Sequence, residues 1–183
     1  MYKRQGVKTS GIDIDARWNF LKSATYGNFN LRLNGTYTSK YDLTLQDGSV
    51  QPSVAATVDA NGNLLNAVAQ SGIIFRWKDQ LTLDWKRKDW GASLTNNLQS
   101  GYYDNYRFDY VGGPQHVGAF STWDLQGTYS GIKNLTLTAG VKNLFNRKPT
   151  EVITGGSYFQ TGYDPTWYDP HGQTGYVSAT YQF

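Results

Sequence analysis

The chain contains no cysteine. That excludes a disulfide framework, a thiolate metal site and a cysteine nucleophile. Histidine is almost as scarce: His116 and His171 stand far apart, with no local partner at metal-ligand spacing. His171 falls in Asp169-Pro170-His171-Gly172, which reads as a turn, and Asp164-Pro165 reads as a second turn initiator. Neither carboxylate is therefore assigned acid–base chemistry. No catalytic, cofactor or metal constellation emerges, and an enzyme is not expected. The net charge is only +3 and its basic residues are scattered, whereas nucleic-acid recognition needs a clustered basic stripe. No nucleic-acid partner is expected. An apolar run of about 18 residues is lacking, so there is no transmembrane helix. A cleavable secretory leader is lacking too, because Met1-Tyr2-Lys3-Arg4-Gln5 leads into polar sequence.

What the chain does have is aromatic bulk in a polar setting: 14 Tyr, 6 Trp and 8 Phe among 183 residues, with a mean hydropathy of −0.56. These residues recur with period two, the signature of strands with one apolar face. In the first stretch Ile12, Ile14, Ala16, Trp18 and Phe20 oppose Asp13, Asp15, Arg17 and Asn19. Phe29, Leu31, Leu33, Gly35 and Tyr37 then oppose Asn28, Asn30, Arg32, Asn34 and Thr36. Further alternating stretches start near Trp77, Trp90, Trp123 and Leu135, and the last runs from Tyr176 to Phe183. Asp79 is the charged residue that falls on an apolar face.

The stretches run about 9 to 15 residues, against about 5 to 6 for strands of soluble proteins. A tilted strand crossing a bilayer needs about 9 to 11. Connections alternate in length. Brief turns near Leu21–Gly27, Lys86–Asp89 and Ser130–Asn134 alternate with long loops over 42–71, 104–119 and 146–173. Short turns on one side and long loops on the other is the arrangement of outer-membrane barrels, with the short turns periplasmic. Aromatic residues mark both ends of the apolar face. Trp18, Phe20, Trp85, Trp90 and Tyr129 lie towards the short turns, and Tyr37, Trp77, Tyr102, Trp123 and Phe145 towards the long loops. A soluble β-sandwich explains the alternation equally well but neither the length nor the banding. The expected fold is all-β: an antiparallel up-and-down transmembrane β-barrel segment of about seven long strands. An odd count makes a lone closed barrel awkward, so the barrel is expected to be incomplete. Arg17, Arg32, Arg76 and Lys142 are expected to face the lumen and to pair with acidic groups of the plug, simply lining water being the alternative.

Several stretches resemble TonB-dependent outer-membrane receptors. Gly140-Val141-Lys142-Asn143-Leu144-Phe145-Asn146-Arg147-Lys148-Pro149 is similar to the motif of their penultimate strand. Tyr163-Asp164-Pro165 with Tyr168-Asp169-Pro170-His171-Gly172-Gln173, ahead of a strand ending Tyr181-Gln182-Phe183, is similar to their C-terminus, although Gln173 stands where the family often has Arg. Trp123-Asp124-Leu125 and Gly101-Tyr102-Tyr103-Asp104 also match, so the resemblance runs from about Gly11 to the end. It implies a 22-stranded plugged barrel, of which these strands would be the sixteenth to twenty-second.

On this reading residues 6–183 are the C-terminal β-barrel segment, without the plug and the earlier strands. Residues 1–5 match one frame of a transposon end common in sequencing libraries and are set aside as a non-native scar, a native start being the alternative. The intact form would import a ligand such as a ferric siderophore with TonB-supplied energy, cobalamin or an oligosaccharide being alternatives. A passive channel or structural barrel is the rival function, and an outer-membrane enzyme a weaker one. The implied location is the outer membrane of a Gram-negative bacterium. Implied partners are outer-membrane lipid, the barrel-assembly machinery, the receptor's own N-terminal barrel and plug, and TonB only through that plug. Candidate ligand contacts in the long loops are Tyr106, Tyr110, His116, Tyr163, Trp167, Tyr168 and His171, with mutual packing of the loops as the competing role. Tyr181 and Phe183 resemble the terminal signal read by the assembly machinery, though Ser178 stands where that signal often has glycine.

Overall fold

A computed structural model describes residues 6–55, 73–104, 115–151, 163 and 167–183. The strands are β1 (Gly6–Ser23), β2 (Gly27–Thr44), β3 (Val50–Pro52), β4 (Trp77–Arg87), β5 (Trp90–Gln99), β6 (Tyr102–Asp104), β7 (Gln115–Val117), β8 (Phe120–Ile132), β9 (Leu135–Lys142) and β10 (Thr174–Tyr181). Seven of them form one antiparallel meander in the order β1-β2-β4-β5-β8-β9-β10. Its two edges, β1 and β10, are not paired with each other, so the described residues form an open sheet, an incomplete barrel wall. The seven strands coincide with the seven alternating stretches of the sequence. β1 and β2 have 18 residues each, while β9 and β10, with 8 each, fall just short of the expected length.

Register places the apolar residues in continuous rows. One runs Trp18, Leu31, Leu83, Leu94, Leu125, Val141 and Gly175 across all seven strands. Another runs Phe29, Trp85, Ala92, Gly127, Ala139 and Val177. These rows are not a buried core. Trp18 is 65% exposed and Val177 83%, and Ile12, Leu125 and Leu137 are exposed as well. An apolar face this wide, left open by a well-registered sheet, marks a surface made for a non-aqueous neighbour.

The short turns are Ala24–Tyr26, Lys88–Asp89 and Lys133–Asn134, all at one end of the sheet. In the first, the Ser23 hydroxyl accepts hydrogen bonds from the amides of Thr25 and Tyr26, a local turn that Ser favours. In the last, Asn134 takes the left-handed conformation that Asn tolerates. The long connections all leave from the opposite end.

Three details depart from the sequence reading. A bulge between Asn19 and Leu21 sets Leu21, not Phe20, opposite Phe29, although the Phe20 ring still packs against Trp18 and Phe29. Tyr102 does not join an outer aromatic band: it lies in β6 and is buried among loop residues. Asn96 occupies a place on the apolar face, opposite Leu81 and Trp123. Its amide donates to Ser121 Oγ (2.6 Å) and to the Thr122 carbonyl (3.1 Å), which offsets the cost of its position.

The buried core sits instead under the long loops. Ile73, Phe75, Tyr102, Val117 and Tyr168 form it, with Tyr103, Phe120, Tyr163 and Trp167 packed against it.

Candidate functional site

The second face of the sheet is polar and hydrogen-bonded across strands. Arg17, Arg32, Thr82, Thr95 and Asp124 share one row; Asn19, Asn30, Asp84, Ser93, Gln126, Gly140 and Tyr176 share the next. Arg32 meets Asp84 through Nε (2.7 Å) and Nη2 (3.1 Å), and Arg17 lies 3.4 Å from Asp15. These two arginines thus find carboxylates within the wall itself. Lys142 lines the groove without appearing in the ion pairs among the described residues.

A chain of side chains climbs the wall. Gln80 donates to Asn97 Oδ1 (2.9 Å), and Asn97 donates to Asp124 Oδ2 (2.9 Å). The second oxygen, Asp124 Oδ1, accepts the backbone amide of Asn143 at 2.8 Å. Asn143 is itself left-handed (φ 49°) and clasps Arg147, accepting its amide and donating to its carbonyl. Asn146 Oδ1 then accepts the Gln173 amide at 3.1 Å, and Gln173 Nε2 donates to the Leu144 carbonyl at 2.7 Å. Asp124 and this clasp between the end of β9 and the start of β10 were not singled out as a unit in the sequence. An Asp early in a strand and a closely spaced Asn pair after one are the signals that point to them.

This polar face lines a groove of about 850 Å³. Asn34, Gln80, Asn97 and Thr122 form its floor, and Trp167, Asp169 and Gly172 rim it at the long-loop end. The loop candidates are placed as follows. Trp167 borders the groove with its ring edge-on to Phe75 at 5.5 Å. Tyr168 is 3% exposed and stacks edge-on with Phe120 and Tyr163. His116 is exposed with its ring against Tyr103 at 5.1 Å. His171 is exposed and its Nδ1 lies 2.6 Å from Asp169 Oδ1. The His171 backbone amide also donates to that oxygen, at 2.9 Å. The amide first, and the ring second, hold the Asp169 carboxyl below its usual range. Tyr106 and Tyr110 lie outside the described residues. The structure thus brings Tyr163, Trp167 and Tyr168 together and leaves His116 apart from His171. Among the described residues no cluster of His, Cys, Asp and Glu is suited to a metal ion. Tyr181 ends the edge strand opposite Leu135, with its ring 5.1 Å from that of the exposed Phe183.

An open antiparallel wall, apolar outside and hydrogen-bonded within, with tight turns below and packed loops above, is a section of a large β-barrel. The chain belongs to the TonB dependent receptor-like β-barrel family, whose profile matches residues 2–144. Members of this family are transporters, not enzymes, and reside in the outer membrane of Gram-negative bacteria. Two solved structures share the fold. A mutant of the ferric enterobactin receptor PfeA from Pseudomonas aeruginosa superimposes with a TM-score of 0.62 at 21% identity, covering 96% of this chain and 22% of that one. The ferric yersiniabactin uptake receptor FyuA from Yersinia pestis gives 0.51 at 15%, covering 97% of this chain and 24% of that one. The chain therefore spans less than a quarter of the length of either receptor. No curated protein sequence matches it.

Proposed function

We propose that the chain forms the C-terminal wall of an outer-membrane active-transport receptor, whose intact form imports a ligand such as a ferric siderophore with TonB-supplied energy. The observation that carries this reading is the two-faced register. Apolar rows cross all seven strands on one side, and a hydrogen-bonded polar wall lines a groove on the other. Lipid outside and a hydrated, plugged lumen inside account for both faces. The fold shared with receptors named for ferric enterobactin and ferric yersiniabactin supports a siderophore as the ligand class. Residues 6–183 supply wall and loops; the plug, the remaining strands and the contact with TonB belong to the rest of the receptor. Trp167, Tyr163, His116 and His171, with Tyr106 and Tyr110, are the loop residues proposed to face ligand, with the buried Tyr168 packing beneath them. Tyr181 and Phe183 are proposed to be read by the barrel-assembly machinery.

The upstream reading frame in the source genome tests this. A secretory leader, a plug domain and about fifteen further strands, the balance of a 22-stranded barrel, are expected there. A stop codon and ribosome-binding site just before Met1 would overturn the receptor reading. Stable conductance from the purified 183-residue chain in planar bilayers would favour the passive channel instead.

A further inference from the structure

The short-turn end of the polar face carries cations that the wall leaves unanswered. Register sets Lys22, Asn28 and Lys86 side by side across β1, β2 and β4. The same row continues through Gly91, Thr128, Thr138 and Ser178, so Lys22 and Lys86 share the groove face and the rest of their row is uncharged. The two lysines stand two strand spacings apart, about 10 Å. With Arg87 at the end of β4 and Lys88 in the turn that follows, they border a recess of about 440 Å³.

No acidic side chain lines this recess. All four cations are exposed. The ion pairs found among the described residues are Arg17–Asp15, Arg32–Asp84, Lys40–Asp42 and Asp169–His171, and they include none of the four. The carboxylate one row up, Asp84, is already gripped by Arg32 and approached by the Asn30 amide at 3.5 Å. The cations are also held in place. The Trp85 indole donates to the Tyr26 carbonyl at 2.8 Å, and Gly27 (φ +92°) sits where a Cβ would run into the Lys86 carbonyl, so the β1–β2 turn closes on the end of β4. Four like charges fixed around one hollow repel each other until a counter-charge enters.

Which way the recess faces limits what can enter. Lipid meets the opposite, apolar face, whereas the groove face looks into the lumen. The receptors that share this fold have more than three quarters of their length outside the matched stretch, which covers 22% of one and 24% of the other. We infer that the recess seats an acidic segment of the receptor's own plug, whose carboxylates meet Lys22, Lys86 and Lys88. The inference rests on the receptor reading above.

The test is zero-length coupling with a water-soluble carbodiimide, which joins a lysine amine to a carboxylate touching it, on the full-length receptor in isolated outer membranes. Lys40, 2.9 Å from Asp42, is the internal standard for the reaction. Peptide mass spectrometry should find Lys22, Lys86 or Lys88 joined to Asp or Glu of the plug. The Lys22→Arg/Lys86→Arg receptor keeps the charge and should retain the Lys88 link, whereas Lys22→Gln/Lys86→Gln should lose most of it. Links to the barrel or to another protein would overturn the plug site and leave the receptor reading standing. So would an absence of links while Lys40 couples, the outcome if water or phosphate alone fills the recess. A Lys88 link that survives both pairs of substitutions alike would also overturn it, because contact would not then depend on the charge of the recess. A complete reading frame without a plug would overturn both.

Discussion

The Arg32 guanidinium grips the Asp84 carboxylate through two nitrogens, at 2.7 and 3.1 Å, across the β2–β4 boundary. Arg17 stands directly opposite Arg32 on the other side. Asp84 thus neutralises a point where two guanidinium groups would otherwise face each other across the β1–β2 ladder, an arrangement that is unfavourable.

That geometry sets a modest coupling. Both side chains are partly exposed, at 41% and 32%, so solvent screens the pair, while the bidentate fork raises its worth towards the top of the exposed range. A double-mutant cycle of Arg32→Ala and Asp84→Ala, read by urea unfolding in lipid, should give about 1 kcal/mol. The coupling should shrink in high salt.

Tyr176 and Gly140 make a second test. The Tyr176 ring lies across Gly140 so closely that a Cβ there would stand 2.5 Å from it. Its hydroxyl reaches past to donate to Gln126 Oε1 at 2.8 Å. Tyr176→Phe should cost about 1 kcal/mol for the lost bond. Gly140→Ala should cost more, because it displaces the whole ring. In a Tyr176→Ala background the Gly140→Ala change should become nearly silent, and the same unfolding assay reads all three.

The apolar rows predict asymmetry between neighbours. Leu94 lies in the row that runs from Trp18 to Gly175, and Thr95 in the polar row with Arg32 and Asp124. In a bilayer, Leu94→Arg should cost about 2–4 kcal/mol, as a cation near mid-membrane does. Thr95→Arg should cost little. Asp79, on the apolar face but close to the long-loop end, receives a hydrogen bond from the Trp77 indole, and Asp79→Leu should change stability by about 1 kcal/mol or less.

A pH effect is expected at the groove rim. The Asp169 carboxyl is lowered from its ordinary 3.8 by the His171 amide and then by the ring. A depressed carboxylate contributes order that is fully present above its ordinary value and is lost as pH falls through the lowered one. Trp167, two residues away, should therefore report a fluorescence change only in strong acid, and Asp169→Asn should remove that transition. Both partners are largely exposed, so global stability should barely follow.

The long strands were legible because lipid on one side and water on the other force strict alternation, and each short turn bounded them. Tyr129 and Leu137 could be placed on one face from sequence because the connection between them is tight, whereas Leu94 and Leu125 are joined across a long loop and their pairing follows only from alternation within each strand. β3, β6 and β7 were not legible: with 3 residues each they carry no period and form through pairing within the loops. Asn96 was obscured for another reason. Its amide is satisfied by the neighbouring strand, so a polar residue persists where the pattern calls for an apolar one. In the loops, sequence identified the aromatic residues but not their partners. Tyr168 looks like a surface residue until Phe120 and Tyr163 are folded against it.

The central claim is that the Leu94 face meets lipid and the Thr95 face meets water. The absence of native cysteine makes it directly measurable, since single cysteines along β5 can carry spin labels without background. In lipid-reconstituted protein, labels at Ala92, Leu94 and Leu98 should collide with oxygen dissolved in the bilayer. Labels at Ser93, Thr95 and Asn97 should collide instead with a water-soluble nickel chelate. Inverted phase, or dryness to both reagents on the apolar face, would contradict a membrane wall and point to a soluble sheet packed on another protein surface.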